Sequence, residues 1–487
     1  GGGDHYHHQY HHYYVSSLIL STRTRTKGRT GIPRSSSSSP SLFSSSSLTT
    51  ATTTTTSAIA RISFQQYLED EIQKDTIDSN LRDVMIGVAQ SCAEISCRLQ
   101  THTTLQQQLG IDEDDDNNNN NVNIQGEIQK EMDVIANDIF IQNLHHVGPS
   151  VAAMASEEEE TIIYGSSHPN NDDTNTNTNT DSDTSSSSSS SYEIAFDPLD
   201  GSSNLISNLP VGSIFGIAPY TTTNNSSTHR PFSNPGSKLV AAGYALYSSS
   251  TELIVTFGNN HGVMGFTLDP VDNAFILSRT NIICPSSGPY YSLNEARYND
   301  WSIPLQNYIQ DAKCGLQHQH NRKNRSLHSN SSCSATTRRS RPLSSRYVCS
   351  LCADFHRTLL VGGWCGNPRT HLRLLYEAAP LAFVIKAAGG SGCDGSRSSR
   401  ARTRTRSNSS NSNSDNSNIS DSDSDGTNRT STSTITTATT SDCNNLLDIV
   451  PVGLHDRVCV FLGSTDDIDD LLSYGDVRQV VSKTYEA

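Results

Sequence analysis

An α+β fold is the class this sequence predicts, on three observations. Apolar residues recur at helical spacing between residues 62 and 140, and short apolar runs bounded by turn residues follow between 192 and 278. After residue 346 helical patterns return beside strand-like runs. Only 33% of the 487 residues are hydrophobic, and Ser, Thr and Asn crowd into tracts that bury too little apolar surface to offset chain entropy. A net charge of -15 argues against nucleic acid as a partner, since a phosphate backbone demands a basic face. No apolar run approaches the roughly 18 residues of a membrane span, so no membrane partner is expected. Eleven cysteines without a regular framework fit reduced thiols better than secreted disulfides.

Taken in order, residues 1–60 are rich in Ser and Thr, with Arg and Lys and a single acid, Asp4. That is the composition of an organellar transit peptide and is expected to be disordered. The chain does not begin with Met, so its start is expected to be incomplete. Phe64, Tyr67, Leu68 and Ile72 have helical spacing, and Leu81, Val84, Ala89, Cys92 and Ile95 form a second helical stripe. After an acidic loop at 112–121, a third helix is expected from about Ile124, with Ile128, Met132, Ile135 and Ile139 on one stripe and Asp133 and Asp138 on its opposite borders. A β-type run at 161–164 follows four consecutive glutamates from Glu157 to Glu160, and a polar tract at 165–191 is expected to be looped out.

Strands are expected at 192–196, 213–218, 239–247, 252–257 and 263–268, and a turn from Asp269 to Asn273 makes a hairpin with 274–278. Tyr308 and Ile309 sit in an expected helix before a basic insertion at 315–345. Val348, Leu351, Cys352, Phe355 and Leu359 predict a helix ending at Gly362-Gly363, which places the Cys349/Cys352 pair in core packing rather than in a metal or redox site. A strand-like 372–376 leads through Glu377 into a helix closed by Gly389-Gly390, and 396–441 is a further insertion. Strands at 447–450 and 458–462 precede a last helix capped by Ser464.

The stretch that carries chemistry is FDPLDGSSN, Phe196 to Asn204. Asp197 and Asp200, three residues apart around the restraining Pro198, can both face one hard cation, and Gly201 lets the following amides turn toward an anion. Metal and phosphate in one turn suggest metal-assisted phosphoryl transfer.

With Asp138 and Glu157-Glu158 this turn forms D…EE…DPLDG, the metal pattern of the lithium-sensitive sugar phosphatases. The chain most resembles fructose-1,6-bisphosphatases, through DVIAND from Asp133, SEEE from Ser156, PVGSIFGI from Pro210, AAGYALYSSST from Ala241, YSLNEARY from Tyr291, RYVCSLCADFHRTLLVGG from Arg346, LRLLYEAAPLAFVIKAAGG from Leu372 and LLDIVPVGLHDRVCVFLGSTDD from Leu446. The resemblance implies a layered α-β-α-β-α sugar phosphatase fold that hydrolyses the 1-phosphate of fructose 1,6-bisphosphate in carbohydrate metabolism. The related sedoheptulose-1,7-bisphosphatase and a non-catalytic sugar-phosphate binder are the alternatives. It divides the chain into a metal-binding half at 61–314 and a sugar-phosphate-binding half at 346–487.

Carried over by motif, Glu157, Glu158, Asp197, the carbonyl of Leu199, Asp200 and Glu377 would hold two or three Mg²⁺ ions, or Mn²⁺. Asp138, Asp133 and Glu158 would orient and deprotonate the attacking water. Gly201, Ser202, Ser203 and Arg373 would hold the departing phosphate, while Asn294, Arg346, Tyr347 and His371 would meet the rest of the sugar bisphosphate, Arg346 from a neighbouring subunit. A homo-oligomer, tetramer or dimer, in the plastid stroma is implied, with the cytoplasm as the alternative. The sequence departs from the family's pattern at His371, where the family has Lys, in the shortened 364–370 loop, which lacks a phosphate-binding Tyr, and at 296–298, where either Arg297 or a displaced Tyr298 faces substrate.

Overall fold

Three helices open the described part of the chain, each with a local reason to start or a face to bury. In the computed structural model residues 61–109, 131–165, 190–220, 230–258, 260–316, 341–397 and 444–479 are described. The terminal tract, the acidic loop, Ile124 and Ile128, and most of the expected insertions lie outside them. Helix α1, Phe64–Gln73, begins where the Ser63 hydroxyl accepts the Gln66 N–H at 3.2 Å, and it buries Phe64, Tyr67 and Leu68. Helix α2, Ser79–Leu109, starts at Asp78, whose carboxylate accepts the Leu81 N–H at 2.7 Å. Helix α3, Glu131–Val147, buries Met132, Ala136, Ile139, Phe140 and Leu144.

All three pack on an eight-stranded sheet of order β2-β1-β3-β4-β5-β6-β7-β8. Its strands are β1 Val151–Ser156, β2 Ile163–Tyr164, β3 Ser191–Asp200, β4 Val211–Tyr220, β5 Ala241–Tyr247, β6 Thr251–Thr256, β7 Val263–Asp269 and β8 Ala274–Arg279. β1 and β3 run parallel, and the remaining pairs are antiparallel. Side chains alternate between two cores. On β4 to β6, Phe215, Ile217, Ala245, Leu253 and Val255 face α1 to α3, whereas Ile214, Ala242, Tyr244 and Ile254 face the other way. Burial on both faces explains why these strands read as continuous apolar runs.

The second face is covered by α5, Leu351–Val361, and α6, Ala379–Ala387. Behind these lies a five-stranded sheet of order β10-β9-β11-β13-β12. It comprises β9 Tyr290–Ser292, β10 Ser344–Ser345, β11 Trp364–Arg373, β12 Ser391–Cys393 and β13 Arg457–Gly463. Cys365, Val460 and Leu462 face α5 and α6, while Trp364, Cys459 and Phe461 face the outer helices α4, Ile303–Cys314, and α7, Thr465–Ser473. The layers are therefore α-β-α-β-α. The seam between the first sheet and α5 is close: a Cβ on Gly212 would sit 2.5 Å from Cys352 Sγ.

Several expected elements come out differently. The strand expected at 372–376 lies earlier, as β11, and 374–378 form a π-helical turn. The run at 447–450 is mostly a 3₁₀ turn, Leu446–Asp448, opened by the Asn445 side chain accepting the Leu447 N–H. Ser464 precedes α7 but does not cap it with its side chain; the hydroxyl accepts the Gly363 N–H at 3.0 Å instead. Residues before 346 already belong to the fold, with Leu343 buried and β10 paired to β9.

One core residue breaks the apolar pattern. Glu193 on β3 is buried and accepts the Phe232 N–H at 3.0 Å, and burial pushes its carboxyl up to about 7. Between the ordinary carboxylate range and about pH 7 the folded chain keeps a proton that the unfolded chain has released, so stability falls as pH rises through that window. Glu193→Gln keeps an acceptor for Phe232 and should raise the melting temperature at about pH 8.5 by the equivalent of up to about 3 kcal/mol, with little change near pH 4.5. Thermal melts at both pH values check this; equal gains at both would show that the carboxyl does not titrate with folding.

Candidate active site

The parallel pairing of β1 with β3 places Ser156 opposite Phe196, so the two chains leave the sheet side by side. Glu157, whose N–H donates to the Phe196 carbonyl at 3.2 Å, thereby stands next to Asp197 although forty positions separate them in sequence. The turn after β1 is braced by α3: Ser156 Oγ donates to Asn137 Oδ1 at 2.7 Å, and Asn137 Nδ2 donates to Glu159 Oε1 at 2.8 Å. β3 continues through the turn motif with an irregularity between Asp197 and Asp200. Pro198 occupies that break, where no ladder N–H is required, and its carbonyl accepts from Ser213 Oγ at 2.7 Å. Gly201 has φ 75°, and a Cβ there would meet the Ser350 Cβ at 2.8 Å, so both conformation and space call for glycine.

Asp197, Asp200 and Glu377 bring one carboxylate oxygen each within 4.8 Å of one another, and all three are buried. Asp200 is the best supported. It accepts from Ser350 Oγ at 2.8 Å and from the Leu351 and Cys352 N–H groups at 3.2 and 2.7 Å, the first turn of α5. A carboxylate at a helix N-terminus meets unpaired amides and the positive end of the dipole. Asp197 accepts the Leu199 N–H at 2.9 Å, and Glu377, carried back by the π-helical turn, accepts the Arg373 N–H at 2.5 Å. Burial is the largest cause raising the carboxyls of Asp197, Asp200 and Glu377, with repulsion from neighbouring carboxylates added; for Asp197 and Glu377, Glu157 is the foremost of these. The buried Arg373 places Nε 4.0 Å from Glu157 Oε1.

These groups line a cavity of about 480 Å³. Asp133, Glu158 and Leu199 join them there, as do Gly201, Ser202 and Ser203. Asn294, Tyr347 and His371 line the same space. Two residues grouped with them by motif do not. Asp138 is exposed on α3, because the helix buries Asp133 toward the sheet instead. Arg346 is exposed, with its guanidinium 5.2 Å from the Tyr290 ring centroid. Arg297 lines the cavity, whereas Tyr298 packs on Trp301 at 5.2 Å between ring centroids.

Sequence reasoning missed the supporting residues Asn137, Ser350 and Asp354, and the cavity-lining Asn367, Arg369 and Gln479. Asp354 receives the Val348 N–H and Arg357 and so holds the 346–349 segment. The N-cap pattern Ser350-x-x-Ala353, with the hydroxyl accepting at 3.3 Å, was the one legible signal. Cys352 packs in the core as expected, but Cys349 precedes the helix at φ 65°, exposed, with the Tyr347 hydroxyl 3.3 Å away.

The chain matches the family models for the fructose-1-6-bisphosphatase N-terminal domain over residues 175–280 and C-terminal domain over 284–409. It is 32% identical to the chloroplastic fructose-1,6-bisphosphatase of Brassica napus across 82% of this chain and 78% of that protein. It is 31% identical to that of Pisum sativum across 85% and 83%. Among solved structures, fructose-1,6-bisphosphatase of Leishmania major in holo form superposes with a TM-score of 0.58 at 27% identity, over 85% of this chain and 98% of that one. Shared sequence, shared layers and a carboxylate-lined cavity at the same motif lead to one statement: the chain belongs to the fructose-1,6-bisphosphatase family.

Proposed function

We propose that this chain hydrolyses the 1-phosphate of fructose 1,6-bisphosphate to fructose 6-phosphate and orthophosphate, with Mg²⁺ or Mn²⁺ at the carboxylate cluster. The observation that carries the reading is the meeting of Asp197, Asp200 and Glu377 in one cavity with Arg373. Three buried carboxylates raised by burial and mutual repulsion are costly to ionise without a cation, and an all-oxygen donor set suits a hard divalent ion. Glu157, Glu158 and Leu199 line the same cavity and would complete it, Leu199 through its carbonyl. When bound, the cation supplies charge to the phosphoryl oxygens and makes the attacking water easier to deprotonate.

The protein's own groups do the rest. Arg373, buried and fixed through its Nη1 to the His371 carbonyl at 3.2 Å, neutralises charge on the transferring phosphoryl group. Gly201, Ser202 and Ser203 orient its oxygens. As the new P–O bond forms, the water's proton passes to Asp133 or Glu158, carboxylates that line the cavity, while the P–O bond to C1 breaks and its oxygen leaves with a proton from solvent. The exposed Asp138 is not assigned this role. The protein acts in the plastid, a reading supported by the chloroplastic relatives and by the composition of residues 1–60. It assembles as a homo-oligomer, for which the exposed Ile206 and Leu209 beside the site give an apolar contact surface.

Phosphate release from fructose 1,6-bisphosphate and from sedoheptulose 1,7-bisphosphate, each with and without Mg²⁺, tests the activity. Mg²⁺-dependent turnover that favours the fructose substrate is expected, and no release from either at millimolar concentration would leave only a sugar-phosphate binder. Asp197→Asn removes one of the crowded charges. It should raise the melting temperature in the absence of metal, abolish the rise that Mg²⁺ gives the wild type, and lower kcat by at least about 10³-fold. A retained Mg²⁺-induced shift would refute the ligand assignment.

A further inference from the structure

Resting on the reading of the carboxylate cluster as a cation site, we infer that His455 is a positioning residue that locks the turn carrying Glu157 and Glu158 to the π-helical turn carrying Glu377. His455 is not among the residues that line the cavity, so it acts through the two turns and not on substrate or cation. The ladder between β11 and β13 brings it there. Arg373 lies opposite Arg457, and the Leu374 N–H donates to the Asp456 carbonyl at 2.7 Å, so the residue before Asp456 meets the π-helical turn. The Tyr376 hydroxyl lies 2.7 Å from His455 Nδ1, and the two rings stand edge to face with centroids 6.0 Å apart. Tyr376 is itself fully buried against Ala153 and Ala155 of β1 and Ala195 of β3, the strands that lead into the acidic turns, and Leu454 packs on the same cluster. Because Tyr376 immediately precedes Glu377, whatever fixes its hydroxyl also fixes that carboxylate.

The other side of the ring serves the acidic turn. The main-chain carbonyls of Glu160 and Glu159 face the imidazole and favour a ring N–H, while burial, the largest influence, and then Arg373 hold the group below its ordinary range. The ring is therefore neutral near pH 7 and carries a single N–H. Nε2 directs that proton at the carbonyls, and Nδ1 accepts from the Tyr376 hydroxyl. A protonated ring would repel Arg373, whose Nε stands 4.0 Å from Glu157, so a neutral bridge joins the turns without opposing that contact. The acidic turn is thus held from two sides: Asn137 of α3 donates to the Glu159 carboxylate at 2.8 Å, and His455 meets the main chain. Groups that orient metal ligands in this way govern affinity for the ion although they never touch it.

The test titrates the full chain with Mn²⁺ by calorimetry, without substrate, and then measures turnover at saturating Mg²⁺. His455→Ala should weaken Mn²⁺ binding by about 10- to 100-fold and lower kcat by at least about 10-fold, with KM for fructose 1,6-bisphosphate within about twofold of wild type. Tyr376→Phe keeps the buried ring and removes the hydroxyl. It should shift the same quantities by less, and it preserves the test if the alanine variant does not fold. Because both groups act through one bridge, adding Tyr376→Phe to His455→Ala should cost less than about twofold more in Mn²⁺ affinity. His455→Gln, which can return an N–H donor to the Glu159 and Glu160 carbonyls, should recover part of the loss. A lower melting temperature with Mn²⁺ affinity within about twofold of wild type in both single variants overturns the inference. So do losses that multiply in the double variant. If the wild type itself binds no Mn²⁺, the cation-site reading fails first and the assignment falls with it.

Discussion

Asp197, Asp200, Glu377 and Glu157 repel one another at the floor of one cavity, and much of the surrounding fold serves to hold them there. Asp200 sits at the first turn of α5 and takes two of its amide hydrogens and the Ser350 hydroxyl. Asp197 and Glu377 each take one backbone amide, and Arg373 stands 4.0 Å from Glu157. None of these donors comes from solvent, and burial still outweighs them in raising the carboxyls. The arrangement is thus electrostatically loaded toward a cation, and the load is carried by elements from both halves of the chain. That is why Gly212 and Gly201 leave no room for a side chain: the seam between β4 and α5 must close for Asp200 to reach the helix.

The fold was legible where burial is simple. The strands from β4 to β6 are apolar on both faces, and the stripe of α1 and α2 keeps its spacing, so their positions follow from residue type alone. Legibility failed where polar or small residues form regular structure. β1 reads Val-Ala-Ala-Met-Ala-Ser, and β11 contains Asn367, Arg369, Thr370 and His371 in an irregular ladder, so neither shows strand periodicity. The π-helical turn after β11 has no sequence signature that separates it from strand or helix, yet it is what turns Glu377 back toward Arg373.

For the site, residue types were visible but orientations were not. Asp133 and Asp138 lie on opposite borders of one stripe, and only the packing of α3 on the first sheet buries one and exposes the other. Which of Arg297 and Tyr298 lines the cavity likewise depended on Trp301 being available to receive the tyrosine ring. Asn137 could not be found from sequence because its role is to brace a turn that is distant in the chain.

The two ends of the cavity share one construction. Among the described residues, parallel pairing occurs between β1 and β3 in the first sheet and among β10, β9 and β11 in the second. Parallel neighbours necessarily end on the same side, so residues just past them are gathered regardless of their separation in sequence, which is also why open parallel sheets bind ligands at the carboxyl ends of their strands. Antiparallel neighbours would send the following residues to opposite ends. In the first sheet this gathers Glu157 and Asp197, just beyond the last paired residues Ser156 and Phe196; in the second, residues beyond the parallel pairings, Asn294, Arg297, Tyr347 and Arg369, line the same cavity. α5 lies between the sheets: its first turn donates to Asp200 of the first, and its own Asp354 accepts from Val348 in the 346–349 segment that follows β10 of the second. That carboxylates and guanidinium-bearing residues line one cavity is therefore a consequence of strand direction, with a buried helix between the two sheets.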